Sequence, residues 1–292
     1  MAHGPAGQLR PLVPLRPLSL GEILDGAVET IRRDPRTTLV LGATVVGVQQ
    51  AIGVPVQYVA QDLSLSPASG SGPAALLTQL LALSTSTIVL YVVSTALSVV
   101  LAGAVSIVVG EAVQGRRADL AAVWVRLRRR LPALLGLGFG IALSSGIGLV
   151  ALGIGAVFVF VVTAVAAPAL VLEDVSLRQA VRRSWELTTG DFWRVLGVRA
   201  LGSGVSALMT LVLGLPFTIA AVALGASPFG SGATPLPALT LTALGALVAG
   251  AVAGPFGGAV DGLLYVDRRM RAEGLDIDRA QQARLARPVV PA

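Results

Sequence analysis

The sequence predicts an all-α integral membrane protein: six transmembrane helices, arranged as three parallel repeats of an amphipathic interfacial helix followed by a transmembrane hairpin. Three observations carry this. Of 292 residues, 54% are hydrophobic and 13% charged, about half the ~25% charged content of soluble domains. All 22 basic residues are arginines, confined to four clusters at 10–36, 116–130, 178–199 and 268–287. Three of those clusters carry an amphipathic pattern with one shared phase.

The first 18 residues read as a disordered cytoplasmic tail, broken by Pro5, Pro11, Pro14 and Pro17. No apolar h-region follows the start, so a cleaved signal peptide is not expected. The membrane domain is placed at 19–266. Its first interfacial helix opens at Ser19 with Glu22 three residues on, a capping box. Apolar positions follow at Leu20, Ile23, Leu24, Ala27, Val28 and Ile31; Arg32 and Arg33 lie opposite, and Pro35 ends the helix. Spans follow at about 38–60 and 76–110, each longer than or close to the ~20 residues that cross hydrocarbon. The Ser/Gly/Pro-rich linker 61–75 carries one charge, Asp62, and reads as an outside loop.

The second interfacial helix opens at Asp119 and runs through Leu120, Val123, Trp124 and Leu127, with Arg126, Arg128, Arg129 and Arg130 opposite and Pro132 as its end. The uncharged stretch that follows, Pro132–Leu172, would be ~60 Å long as one helix. The arginines on either side of it decide how it crosses: two crossings, about 133–151 and 152–172, keep clusters 116–130 and 178–199 on one side, as the positive-inside rule requires. A tight turn is expected near 144–155, and a broken or re-entrant segment is the alternative. The third interfacial helix opens at Ser176 and runs through Leu177, Ala180, Val181, Ser184 and Trp185. Arg178, Arg182 and Arg183 lie opposite, and Gly190 is its C-terminal cap. Relative to each cap the apolar positions fall at +1, +4, +5 and +8, the stripe of an amphipathic helix, with Ser184 the weak member. Trp124, Trp185 and Trp193 are expected to anchor at headgroup level. Spans at about 196–224 and 236–265 and a cytoplasmic tail at 267–292 complete the chain. Both termini are then cytoplasmic, and arginine without lysine in an Ala/Gly-rich chain suggests a bacterial inner membrane.

Small residues recur every fourth position inside the spans: Gly250, Gly254, Gly258 and Gly262 in the last, and Gly136, Gly140, Ser144 and Gly148 in the third. The fifth has Gly202, Ser206, Thr210 and Gly214, and the second has Ser94, Ser98, Ala102, Ser106 and Gly110. Such stripes let helices approach closely in lipid. The all-glycine run is read as internal packing, with a homodimer face as the alternative.

Chemistry-bearing groups are few. There is no cysteine and one histidine, His3, so no thiolate or histidine site is expected, nor any cofactor or metal. No HExxH, GxSxG or phosphate-binding loop occurs. No ionisable group is expected near the middle of a span; Glu111, Glu173 and Asp174 lie at span ends. Asp261 is the deepest, read as an end residue paired with Arg268 or Arg269. Gln49 and Gln50 lie mid-span, as glue between helices or the lining of a polar cavity. Pro216 and Pro255 interrupt the fifth and sixth spans. A pI near 11.1 points to anionic lipids rather than nucleic acid, because the arginines bracket apolar spans and no stacking aromatics are interleaved with them.

Three segments, Leu15–Val28 (LRPLSLGEILDGAV), Glu173–Gly197 (EDVSLRQAVRRSWELTTGDFWRVLG) and Leu263–Asp276 (LLYVDRRMRAEGLD), resemble a family of actinobacterial multi-pass membrane proteins related to the membrane domain of glycerophosphodiester phosphodiesterases. The resemblance implies a helical membrane module without the catalytic barrel, which would need ~250 further residues, and no catalytic residue is carried over. The expected function is a non-catalytic inner-membrane module binding anionic lipid or a partner, either a membrane protein or a second copy. The alternative is a carrier or channel for a small or lipid-like solute. An enzyme acting on lipid headgroups would need Asp261, Glu111 or Asp174 to converge.

Overall fold

Every backbone N–H and C=O inside hydrocarbon needs a partner within the chain, which leaves helices as the economical solution for so apolar a sequence. The computed structural model describes residues 18–65, 73–150, 153–226 and 234–273, and these form nine helices. They are α1 (Leu20–Arg33), α2 (Pro35–Leu65), α3 (Pro73–Val113), α4 (Leu120–Val150), α5 (Ile154–Val162), α6 (Ala166–Leu172), α7 (Leu177–Thr189), α8 (Phe192–Ala223) and α9 (Leu236–Glu273). Most of the N-terminal tail, the middles of the two expected outside loops and the end of the C-terminal tail lie outside the described residues. Six stretches are long and apolar enough to cross a bilayer: Pro35–Gln61, Thr85–Val113, Leu120–Leu149, Ile154–Leu172, Phe192–Ala223 and Leu236–Ala272. The chain is therefore a polytopic helical membrane protein in which 132–172 provides two spans.

Helices α3 and α9 form the centre: α9 packs on α1, α2, α3 and α8, and α3 packs on α2, α4, α6 and α9. The glycine stripe of α9 builds this seam. Gly250 lies against Val46 of α2, Gly254 against Leu101 of α3, Gly258 against Ala102 and Val105, and Gly262 against Ser106 and Val109. A Cβ at Gly250 or Gly254 would stand 2.7 Å from its neighbour. Within this seam the closest approach is at Gly42 of α2, where a Cβ would lie 2.6 Å from the Ala251 carbonyl oxygen and 2.8 Å from the Pro255 ring. Pro255 has no N–H, so it cannot bond that carbonyl four residues back. Glycine lets α2 close over it.

The stripe expected in the third span packs only at its end, where Gly148 is buried against the backbone of Gly155 and Ala156 of α5. Gly136, Gly140 and Ser144 are exposed, and nothing lies within 4 Å of a Cβ built at Gly140. The buried face of α4 is set by Val123, Leu127, Leu134 and Leu137, which turns Gly138 inward, against the backbone of Ala96. In the fifth span Gly202 meets Val260, whereas Thr210 faces outward.

The interfacial helices differ from one another. In α1 the capping box is complete: the Glu22 N–H donates to Ser19 Oγ at 3.3 Å and the Ser19 N–H donates to Glu22 Oε2 at 2.7 Å. In α7 the Ser176 N–H donates to Gln179 Oε1 at 3.0 Å. The second is not a separate helix: α4 runs straight through Pro132. One lost hydrogen bond is outweighed by a continuous buried face on both sides of the proline. Gly190 does follow α7, but with φ −66 it needs none of glycine's left-handed freedom. What the three segments share is the inward pair at +4 and +8: Ile23 and Ala27, Val123 and Leu127, Ala180 and Ser184 are all buried.

Ser184 has a physical reason. The fourth span is broken between α5 and α6, because Pro168 cannot bond the Ala164 carbonyl and its ring crowds it. The break leaves the Val162 carbonyl at a buried helix end, and Ser184 Oγ donates to it at 2.5 Å. An alanine here would complete the apolar stripe and leave that acceptor unmatched.

Gly42→Ala is expected to lower stability by ~1–3 kcal/mol through overpacking, whereas Gly140→Ala should stay within ~0.5 kcal/mol of the parent. Thermal unfolding of both variants in the same nanodiscs measures this; equal effects would contradict the α2–α9 seam.

Candidate functional site

The interhelical contacts bring described arginines of all four clusters, Arg199 excepted, to one end of the bundle. Its centre is Asp267, which is fully buried. The Leu18 N–H donates to Asp267 Oδ1 at 2.8 Å, Arg271 Nε to Oδ1 at 2.9 Å and Arg194 Nη2 to Oδ2 at 3.1 Å. Both arginines also donate to the Leu18 carbonyl, at 2.5 Å from Arg194 and 3.0 Å from Arg271. Asp267 and Leu18, expected in the flanking tails, are therefore inside the membrane domain, because α9 continues to Glu273 and carries its charges into the bundle. Beside them Arg268 donates to the Leu187 carbonyl at 2.7 Å and binds the Asp191 carboxylate. That hydrogen bond holds the Asp191 carboxyl below its ordinary range. The stabilisation is therefore in place above the ordinary carboxylate pKa and is lost as pH falls through the lowered value. Glu173 accepts from Tyr265 Oη at 2.6 Å and from Arg183 Nε at 3.3 Å.

At the same end, a groove of about 420 Å³ is lined by Val125, Arg126, Arg129, Arg130, Val171, Leu172 and Asp174. Asp174 adopts φ 58, a left-handed conformation that Asp tolerates better than most residues. Arg130 binds its carboxylate and its carbonyl as well as the Val175 carbonyl. Arg126 reaches Glu111 at 3.4 Å. Arg129 has no hydrogen bond or ion pair among the described residues.

The remaining expected headgroup arginines spread over the same end. Arg32, Arg128 and Arg178 are exposed, Arg182 pairs with Glu186 at 2.8 Å, and Arg33 donates to the Ala112 carbonyl at 3.5 Å. Trp124, Trp185 and Trp193 all face outward. Trp185 and Trp193 join one aromatic cluster, Trp185 edge-on to Phe158 at 5.3 Å and Trp193 edge-on to Phe192 at 5.6 Å.

A second cavity, of about 230 Å³, lies inside the spans between α3, α4, α5, α8 and α9. At its polar end Arg199 Nε stands 3.2 Å from Asp261 Oδ1, and Nη2 stands 3.4 Å from Oδ2. Arg199 also donates to the Phe160 carbonyl and lies 4.3 Å over that residue's ring. Asp261 thus pairs with neither Arg268 nor Arg269. Arg199 sits seven residues, ~10 Å, inside α8, so the spans do carry charge, as a partly buried pair. The pairing follows the antiparallel register of α8 and α9, in which Arg194 meets Asp267, Arg199 meets Asp261, Gly202 meets Val260 and Phe217 meets Gly245. Composition counted Arg199 as a member of an interfacial cluster. The overlooked signal was its spacing: Arg199, Gly202 and Ser206 share one helix face, so the arginine points along the packing stripe.

Gln49 Nε2 donates to Ser94 Oγ at 3.0 Å, tying α2 to α3 away from this cavity, and Gln50 is half-buried. Among the described residues no three His, Cys, Asp or Glu side chains come together in a metal-binding group.

Arg199→Met and Asp261→Met should each cost ~2–4 kcal/mol, since each strands a half-buried charge inside the spans, while the double variant should cost much less than the sum. A double-mutant cycle of unfolding free energies in nanodiscs reads this out; additive effects would mean that the pair is not coupled. Compared with family models, curated proteins and solved structures, the chain matches none.

Proposed function

We propose that the protein is a non-catalytic multi-pass module of the bacterial cytoplasmic membrane that binds anionic lipid at its arginine-rich end, which faces the cytoplasm. The observation that carries this is the Arg126–Arg129–Arg130 groove. Arg130 is fixed by Asp174, Arg129 is unpaired among the described residues, and Arg126 is held only at long range. Val125, Val171 and Leu172 supply an apolar wall beside these cations. A phosphate headgroup with its first acyl carbons has that composition: oxygens for the guanidiniums, methylenes for the valines and leucine. The outward tryptophans and the +6 net charge support the same placement, because basic faces are drawn to anionic leaflets. The resemblance to phosphodiesterase-associated membrane domains agrees with a module that works without its own catalytic barrel.

A carrier for a small or lipid-like solute is the second reading, favoured by the intramembrane cavity at Arg199. The outward apolar face of α8, with Leu208, Leu211, Val212 and Ile219 exposed, is where a partner membrane protein or a second copy would dock.

Two measurements check the proposal. Cysteines at Ser69 and Ser231 should label with impermeant reagents from outside intact cells, whereas one at Arg178 should label only after lysis; the reverse pattern would invert the topology. In native mass spectrometry, the variant with Arg126, Arg129 and Arg130 all changed to Ala should bind phosphatidylglycerol ~100-fold more weakly, at roughly 1 kcal/mol for each arginine. Unchanged retention would remove the groove as the lipid site.

A further inference from the structure

We propose that the Arg199–Asp261 cavity binds an uncharged, hydroxyl-rich group, the sugar or polyol portion of a neutral membrane lipid. The proposal is independent of the arginine groove, which lies elsewhere and takes charge rather than hydroxyls.

The ion pair is present but loose. Charge-assisted N–H···O bonds close to ~2.7–2.9 Å, whereas this pair stands at 3.2 and 3.4 Å. A buried ion pair offsets its desolvation only when its remaining hydrogen-bonding capacity is also matched. Arg199 retains N–H groups beyond those given to Asp261 and Phe160, and each Asp261 oxygen retains a lone pair. The hydroxyls of Tyr91, Thr95, Ser98 and Ser145 line the same space and make no hydrogen bond among the described residues. Inside a span, Ser and Thr without a ligand ordinarily bond back to their own helix; Thr163 at the opposite wall does so, donating to the Val159 carbonyl at 2.7 Å. Four uncommitted hydroxyls beside a slack ion pair form a set of donors and acceptors with no partner among the described residues.

The chemistry of that set selects its ligand. Arginine and aspartate cancel in charge, so an ionic guest would bring an unmatched charge into a low dielectric. A neutral polyol brings none: adjacent hydroxyls accept from the guanidinium and donate to the carboxylate. Tyr91 and Phe160 give aromatic walls for the C–H face of such a ring. At ~30 Å³ per water the cavity holds seven or eight waters, too little for a drug-sized ligand and enough for one sugar or glycerol unit. Tyr91 and Ser98 on its rim are exposed, so the cavity opens sideways at the depth of the spans, where a lipid headgroup reaches it without leaving the membrane.

The test uses the full-length protein in phosphatidylcholine nanodiscs, with thermal unfolding as the readout. Monoglucosyl diacylglycerol doped into the nanodisc should raise the melting temperature by ~3 °C or more. Free glucose at matched concentration separates the sources: a rise with the glycolipid alone assigns a lipid headgroup, and a rise with glucose as well assigns a soluble sugar site of the same chemistry. Ser98→Phe, which fills an exposed wall of the cavity at little risk to folding, and Asp261→Asn should each abolish the rise. The triple-alanine groove variant should keep it. No rise with either probe, or a rise that survives Ser98→Phe, overturns the proposal.

Discussion

A carboxylate with no exposure to solvent, Asp267, is the constraint on which the rest of this fold depends. An unpaired buried carboxylate would cost several kcal/mol, so its three donors have to arrive together. They come from Leu18, just before the N-cap of α1, from α8 and from the next turn of α9 itself. Satisfying this one side chain therefore fixes how α1 lies on α9 and the register of α8 against α9. That register then determines the next pair along the seam. With Arg194 on Asp267, the antiparallel helices bring Arg199 to Asp261 about a turn and a half further in. The intramembrane cavity inherits its charged end from a contact made at the surface.

The second organising demand is that hydrocarbon offers no partner to a free backbone carbonyl. Several residues that look incidental in isolation are answers to it. Pro168 breaks the fourth span, and Ser184 from α7 serves the Val162 carbonyl beside the break. Pro255 frees the Ala251 carbonyl, and Gly42 brings α2 close enough to bury it. The Phe160 carbonyl, on the last turn of α5, accepts a hydrogen bond from Arg199. Ser184 and Arg199 each donate from a helix other than the one whose carbonyl they serve, so meeting a local backbone need also fixes tertiary packing.

This also explains what could be read from the sequence. The six spans, the arginine-rich ends, the cap at Ser19 and the +4/+8 burial of the interfacial segments follow from composition and period, which are local properties. The glycine stripe of α9 was legible for the same reason, since four glycines on one face leave little else for that face to do. The α4 stripe misled because small-residue spacing does not show which face is buried; Val123, Leu127 and Leu134 do, and they turn Gly140 outward. Pro132 was read as a terminator by its local effect, whereas burial on both sides keeps α4 continuous. The partners of Asp261 and Asp267 were not legible, because they depend on the register between two helices whose connection spans a dozen residues without a periodic signal.

The arginines consequently form two populations with different physics. Arg194, Arg199, Arg268 and Arg271 are held by carboxylates or carbonyls within the bundle, and their charge is spent on the fold. Arg32, Arg128, Arg129 and Arg178 have no such partner among the described residues and face outward or into the groove. Among the described residues, this second set can meet lipid without giving up a partner, whereas Arg126 and Arg130 of the groove share their charge with Glu111 and Asp174, so the arginine count overstates the charge offered to the membrane. It also means that two recognition chemistries can coexist without competing. Unpaired cations at the bundle end favour an anion. A neutralised cation inside the spans, with hydroxyls around it, favours a guest that carries no charge.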